Sequence, residues 1–391
     1  MAVSDRLLSD RIKRVDLSGV RRVLELAGTL NDPINLSIGQ PDFPVDDAIK
    51  RGAIDAIESD RNGYSLTGGL PELRDAVGGW LRRDVGWPIG DGIGSMVTSG
   101  TSGAILLAFM TLLEPGDEVI IPDPYFVMYP HAARVVGATP VYCDVYPEFR
   151  MTADRVAPLI GERTKMVLLN TPSNPAGVAL SAHECGELLE LCRSKGVVLV
   201  SDEIYDEFAF SEARQQPAAD PSLGPRCPSP ARFAGAGEGV LLIRGFGKTY
   251  GVTGWRLGYA AGPAWLIDEM AKLQQYTFVC PPTPLQAGVI EAFGTDVGPH
   301  VEAYQRRRDL VLERLSPRCR IVRPDGAFYI FLELPERHRP DETFVRRCIE
   351  RELLVIPGSV FSRRDTHIRL SLTAAEPTLE RGLAVLDELL A

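Results

Sequence analysis

The chain has 391 residues, enough to bury a large core in one or two domains. Hydrophobic content of 45% and charged content of 24% exclude a disordered chain, and a net charge of -10 leaves no basic footprint for a nucleic-acid surface. Seven cysteines, scattered and without a CxxC pair, argue against a disulfide framework or a structural zinc site, and with no apolar run long enough for a signal peptide or a membrane span a soluble cytoplasmic protein is expected.

Residues 1 to about 30 are expected to form an arm and a first helix, with Val20, Val23, Leu24 and Leu26 as a partial apolar stripe. The run NLSIGQPDFPV from Asn35 to Val45 is short and extended, punctuated by Gly39 and two prolines. Helices follow over 47–60 and 70–83, on either side of the turn NGYSLTGG, which carries Tyr64. From there the chain alternates strand, turn and helix. Strands are expected at Met96 to Thr98, Glu118 to Ile121, Thr139 to Tyr142, Met166 to Leu169, Val197 to Ser201, Val240 to Ile243 and Leu257 to Ala260. Seven strands with helices between them imply a mostly parallel sheet, and ligands of such sheets sit beyond the carboxyl ends of the strands. Thr98 leads into the turn SGTSGA, where a helix N-terminus with free N–H groups makes a ready phosphate site. Ile121 leads to Tyr125 and Phe126, Leu169 to Asn170 and Asn174, Val200 to Asp202 and Tyr205, and Ile243 to Lys248. The polar residues of interest therefore converge on one rim.

The segment from Ser211 to Gly239 is rich in Pro, Gly and Ala and reads as an irregular surface insertion, either a lid or a tolerated loop. A helix is expected over 264–276, followed by YTFVCPPTP, whose aromatic residues are candidates to wall a pocket. Beyond about residue 290 the rhythm becomes that of a smaller α+β domain, opening on a long charged helix and ending on the strand HIRLSL and a last helix.

Lys248 is the centre of this arrangement. It follows an apolar strand and stands among Gly245, Gly247 and Gly251, with Arg256 eight residues on, so small residues leave room for an anionic or electrophilic guest near the amine. By itself the segment reads more readily as an ordinary surface lysine on a glycine loop. However, Gly245 to Gly258 resembles the lysine-attachment signature of the class I/II, aspartate aminotransferase-like, fold-type I pyridoxal-phosphate (PLP) aminotransferases. The resemblance continues in order at Asn35 to Pro44, Tyr64 to Gly69, Ser99 to Ala104, Pro122 to Tyr129, Asn170 to Gly177, Ser201 to Tyr205 and Arg369, covering nearly the whole chain.

The resemblance implies an α/β fold of PLP fold type I, with a seven-stranded mostly parallel sheet in a large domain (46–289), a small C-terminal domain (290–391), and residues 1–45 as an arm and part of the small domain. It implies that Lys248 forms a Schiff base with PLP and then moves the substrate proton, that Asp202 pairs with the pyridine nitrogen, and that Tyr205 and Asn174 bond the phenolic oxygen. Phe126 would stack on the ring, with Tyr125 as competitor, and Thr101, Ser102 and Arg256 would hold the phosphate. Tyr64 would reach the phosphate of a neighbouring subunit, making the protein a homodimer with shared sites. Arg369 would bind the substrate α-carboxylate with its planar fork, aided by Asn174 and Gly39, with Ile38, Tyr125 and Phe278 near the side chain. The sequence departs from many relatives in having Gly245 where they carry a serine three residues before the lysine. The expected reaction is amino transfer from an L-amino acid to a 2-oxo acid, with 2-oxoglutarate as acceptor; a PLP-dependent carbon–sulfur or other carbon–heteroatom lyase shares the same residues.

Overall fold

Runs such as EVIIP, KMVLL, VLV and VLLI show no polar alternation, as is usual for strands covered on both faces. Each becomes a strand of one sheet in the computed structural model, which describes residues 7–16, 19, 23, 30 and 32–391. In chain order the first ten strands are β1 (Ile34–Asn35), β2 (Ile93–Thr98), β3 (Glu118–Asp123), β4 (Thr139–Asp144), β5 (Thr164–Asn170), β6 (Val198–Asp202), β7 (Gln216–Pro217), β8 (Pro225–Arg226), β9 (Val240–Gly245) and β10 (Gly258–Pro263). Seven of them form a sheet ordered β2-β10-β9-β6-β5-β3-β4. Its strands are parallel except β10, which runs antiparallel between β2 and β9. That reversal has a consequence for the site. Gly258 at the start of β10 pairs with both Thr98 and Gly245, so the residues just before β10 arrive at the rim where the other strands end.

Successive strand side chains point to opposite faces. Val119, Ile121, Met166, Leu168, Val200, Leu241 and Ile243 pack in one layer with the helices Gly100–Leu112, Met128–Val136 and Ala264–Thr277. Ile120, Val167, Leu169, Leu199, Val240 and Leu242 pack in the other, with the helices Asp47–Glu58, Pro71–Asp84, Ala182–Lys195 and Thr283–Ile290. The sheet is therefore buried on both sides, and its functional groups are left to the strand ends.

A smaller α+β domain adds β11 (Arg320–Ile321), β12 (Tyr329–Glu333), β13 (Leu353–Leu354), β14 (Ile356–Pro357) and β15 (His367–Ser371). Four of these form an antiparallel sheet ordered β11-β12-β15-β14, covered by the helices Gly298–Leu315, Asp341–Glu350 and Glu376–Leu390. β1 pairs with β13 at Ile34 and Leu353, so the chain passes from the small domain along residues 36–45 into the large one. Of the expected first helix, Val20, Leu24 and Leu26 lie outside the described residues; Val23 is buried against Leu354, Ile356 and Phe361 of the small domain.

The segment 211–239 runs along the surface over much of 211–225, as expected, but turns inward over 226–231. Arg226 is buried and the Arg232 side chain nearly so, and they reach Asp84 at 3.4 and 2.7 Å; Arg226 also pairs with Glu207. Arg244 on β9 joins them, with Asp84 at 2.7 Å, Glu203 at 2.9 Å and Asp206 at 3.1 Å. The Ser229 hydroxyl donates to Glu203 at 2.6 Å. Burial alone would push the Asp84 carboxyl up, but the guanidiniums of Arg244, Arg232 and Arg226 outweigh it and hold the group well below the usual carboxylate range. Buried charges persist only when paired in this way, and the pairing locks the segment onto the large domain. Its loop-like composition reflects irregular backbone, exposed in its first half and buried where it meets Asp84.

Candidate active site

The rim is built first from the junction after β2. Gly100 has φ +68, and a Cβ there would stand 2.8 Å from Nη2 of Arg256, so the glycine is needed for the close approach of that guanidinium. The Thr98 hydroxyl donates to the Gly100 carbonyl at 3.0 Å and steadies the turn. Thr101 and Ser102 lie in the first turn of the helix Gly100–Leu112, whose free N–H groups favour an anion. Arg256 arrives opposite them because β10 is antiparallel, and its Nη1 is held by the Thr253 carbonyl at 3.1 Å. Together these groups form an oxyanion cradle.

Asp202 ends β6 and is buried. Its Oδ2 accepts from the Tyr129 hydroxyl at 2.7 Å and its Oδ1 from the Ile204 amide at 3.3 Å. Burial nevertheless raises the carboxyl to about 6, with the two hydrogen bonds pulling the other way. Asn170, at the end of neighbouring β5, donates to the Asp202 carbonyl at 2.9 Å and accepts from the Asn174 amide at 2.8 Å. It is thus a scaffold that sets two site residues at once.

Lys248 lies in the short helix Phe246–Thr249 after β9, and its amine donates to the Gly39 carbonyl. Burial lowers this amine to about 8, and the charges of Arg369 and Arg256 add to the effect. The Tyr205 hydroxyl is 3.1 Å from that of Tyr329. Arg369 on β15 is 3% exposed and has no carboxylate partner among the described residues. It donates to Asn174 Oδ1 at 3.0 Å and to the Ser37 carbonyl at 2.9 Å, while its Nε has no partner. The rings of Tyr329 and Phe361 flank it at 4.3 and 4.4 Å. Burial disfavours its charge, so an incoming carboxylate gains a cation that little else satisfies.

Lys248, Asp202, Tyr205, Asn174, Thr101, Ser102, Phe126, Arg256, Arg369 and Gly39 all line one cavity of about 300 Å³. Ile38 does not. In the extended segment the Ser37 and Gly39 carbonyls turn inward to Arg369 and Lys248, so Ile38 between them turns out, 38% exposed, and its own carbonyl accepts from Thr373. Phe126 lines the cavity, whereas Tyr125 packs its ring on Tyr142 at 5.6 Å and Phe278 packs with the layer around the helix Gly100–Leu112. Tyr64 is 88% exposed and lies outside the cavity of its own chain. Sequence reasoning passed over Tyr129, Ile204, Tyr329 and Phe361, all of which line the cavity. Tyr129 and Ile204 sit within quoted motif segments, so their position was a usable signal; Tyr329 and Phe361 carried none.

At Gly245 the space a side chain would need is taken by its neighbours. A Cβ at that position would come within 2.6 Å of Ile204 Cδ1 and 3.0 Å of Thr101 Cγ2. Ile204 fills the space that a larger residue at 245 would need.

These residues fit pyridoxal phosphate. The cradle closed by Gly100 suits a phosphate, Asp202 is a buried acid for a ring nitrogen, Lys248 is an amine lowered to about 8 for an aldehyde, and Arg369, with no carboxylate partner among the described residues and Nε unpaired, suits a carboxylate. A family model described as aminotransferase class I and II matches residues 31–386. The chain is 32% identical over 393 aligned positions to an aspartate aminotransferase of Pyrococcus abyssi, and equally to aromatic-amino-acid aminotransferase 2 of Thermococcus litoralis, with 98% of each chain covered in both cases. The solved structure of an aspartate aminotransferase from Thermus thermophilus with maleate superposes with a TM-score of 0.88 at 32% identity, covering 98% of this chain and 99% of that one. The protein belongs to the class I and II aminotransferases, the aspartate aminotransferase-like enzymes of PLP fold type I.

Proposed function

We propose that the protein binds PLP in this cavity and transfers the amino group of an aromatic or branched L-amino acid to a 2-oxo acid, with 2-oxoglutarate as acceptor. The observation that carries this reading is Arg369, a buried guanidinium without a carboxylate partner in the same cavity as an amine lowered to about 8. When bound, PLP supplies the electron sink that makes removal of the substrate Cα proton feasible. Lys248 would hold the cofactor aldehyde and then move that proton; an amine near 8 is well matched to the task. Asp202, steadied by Tyr129, would hold the ring nitrogen, and Tyr205 and Asn174 would bond the phenolic oxygen. Thr101, Ser102 and Arg256 would hold the phosphate, and Phe126 would cover the ring.

The side-chain preference rests on the wall beside Arg369. The cations lining the cavity are Lys248, Arg256 and Arg369, and each has a role in this scheme. The remaining wall near Arg369 is Tyr329 and Phe361, which suits an apolar or aromatic donor. The second carboxylate of 2-oxoglutarate would then need a cation from a second subunit. A homodimer is further supported by the exposed apolar side chains Tyr64, Leu66, Tyr276 and Val279 in segments beside the site. The test is a screen of L-amino acids as donors against 2-oxoglutarate and pyruvate. Turnover of phenylalanine, tyrosine or leucine with 2-oxoglutarate supports the reading; release of ammonia with no need of an acceptor would assign the lyase reaction instead.

A further inference from the structure

A second cavity of about 280 Å³ lies on the seam between the two domains. The large domain contributes the loop Tyr146 to Phe149, and the small domain contributes Arg320 of β11, the side chains of β12, Arg339, Arg364 and His367 of β15. Its lining is rich in donors. Glu333 is the acidic residue of the wall, and Arg339 occupies it at 2.7 Å; Arg364 is paired outside the cavity with Asp144 at 2.6 Å. Arg320 has no ion-pair partner among the described residues.

His367 is the least expected member. It is 5% exposed, with its ring stacked on Phe331 at 4.7 Å and edge-on to Tyr146 and Phe149. Nδ1 lies 2.8 Å from the Thr366 hydroxyl, and Nε2 has no partner among the described residues although the residue lines the cavity. Either group can donate in this contact; in the tautomer in which the Thr366 hydroxyl donates to Nδ1, Nε2 carries the proton and is a donor. Burial, followed by Arg339, Arg364 and Arg320, lowers the imidazole to about 3, so the ring is neutral at ordinary pH and offers that one N–H. A buried imidazole donor beside an unpaired guanidinium, with the one acidic group of the wall already engaged, calls for an acceptor bearing negative charge.

We propose that this cleft is a second ligand site, separate from the catalytic cavity, that takes a small oxyanion, a phosphate or a carboxylate, between Arg320 and the Nε2–H of His367. The site is coupled to catalysis by position. His367 and Arg369 are two residues apart on β15 and therefore share a face of the strand, and Phe331 and Glu333 of β12 are their register partners. Across the seam, the Tyr146 hydroxyl donates to Ser362 at 2.9 Å, and Ser362 to Asp123 of β3 at 2.6 Å. An anion bound here ties β11 to β15 and fixes the strand that carries the substrate-binding arginine, so it changes the KM of the amino donor more than kcat.

The test is titration of the PLP-loaded protein with inorganic phosphate and, separately, acetate, at constant ionic strength set with chloride, followed by calorimetry. The loaded cofactor keeps the Thr101–Arg256 cradle filled, and anion held by Arg369 in the catalytic cavity is told from anion on the seam by its indifference to Arg320→Gln. Saturable binding by the wild type is expected, weakened about fivefold or more in Arg320→Gln and in His367→Phe. Arg320→Gln changes one exposed side chain and is expected to keep wild-type donor kinetics when the anion is absent. The phosphate and acetate arms show which oxyanion the cleft prefers. No saturable binding of either ion, or equal affinity in wild type and Arg320→Gln, would overturn the proposal.

Discussion

The Tyr129 hydroxyl donates to Oδ2 of Asp202 at 2.7 Å, joining the helix after β3 to the end of β6. Both groups are buried, and the bond favours the ionised carboxylate against the desolvation that raises it to about 6. Tyr129→Phe removes the bond without removing the ring. Hydrogen bonds to charged groups contribute roughly 1.5–3 kcal/mol, so the variant is expected to bind PLP about tenfold or more weakly in equilibrium dialysis. Unchanged affinity would show that Asp202 needs no such support.

The Lys248 amine is lowered from 10.5 to about 8, first by burial and then by Arg369 and Arg256. In cofactor-free protein, acylation at Lys248 mapped by mass spectrometry is therefore expected to reach half its maximal rate near pH 8; a half-point near 10.5 would contradict the burial. The sign for stability follows. The folded chain holds this proton less tightly than the unfolded chain, so the penalty of burying the cation is in force below about pH 8. It is relieved as pH rises toward 10.5, and this residue favours the folded state increasingly across that window.

The buried network around Asp84 predicts a large loss when one partner is removed. Arg244→Met leaves Asp84 and Glu203 short of a cation in a site without water access, and such losses are typically about 3–5 kcal/mol. Denaturant unfolding of the cofactor-free protein measures this directly. A loss below about 1 kcal/mol would mean that Arg226 and Arg232 neutralise the cluster by themselves.

Gly245 and Ile204 are expected to behave as a coupled pair. Gly245→Ser forces a Cβ within 2.6 Å of Ile204 Cδ1, and overpacking of this kind costs roughly 1–3 kcal/mol. PLP affinity is predicted to fall in Gly245→Ser and to recover in the double variant Gly245→Ser, Ile204→Ala, a non-additivity read from the four-protein cycle. Equal affinity in the single and double variants would break the steric account.

Much of this architecture is legible in the sequence because its signals are local. The apolar runs of β3, β5, β6 and β9 announce a covered sheet, and each is followed at once by its site residues, Phe126, Asn170, Asp202 and Lys248. What is not legible depends on distant partners. The buried state of residues 226–231 rests on Asp84, well over a hundred residues earlier, so composition alone reads as a surface loop. The side of the chain that Ile38 faces is set by where the Ser37 and Gly39 carbonyls find Arg369 and Lys248. Tyr329 enters the site only because β12 pairs with β15, bringing it beside Arg369 and Tyr205.

The most direct test of the central claim is a single half-reaction. PLP-loaded protein is mixed with excess donor amino acid and no acceptor, and the oxo acid and ammonia released per chain are counted. The account predicts about one equivalent of the 2-oxo acid of the donor, no ammonia, and neither product from Lys248→Ala. Continued release of oxo acid with matching ammonia, or full release by Lys248→Ala, would contradict it.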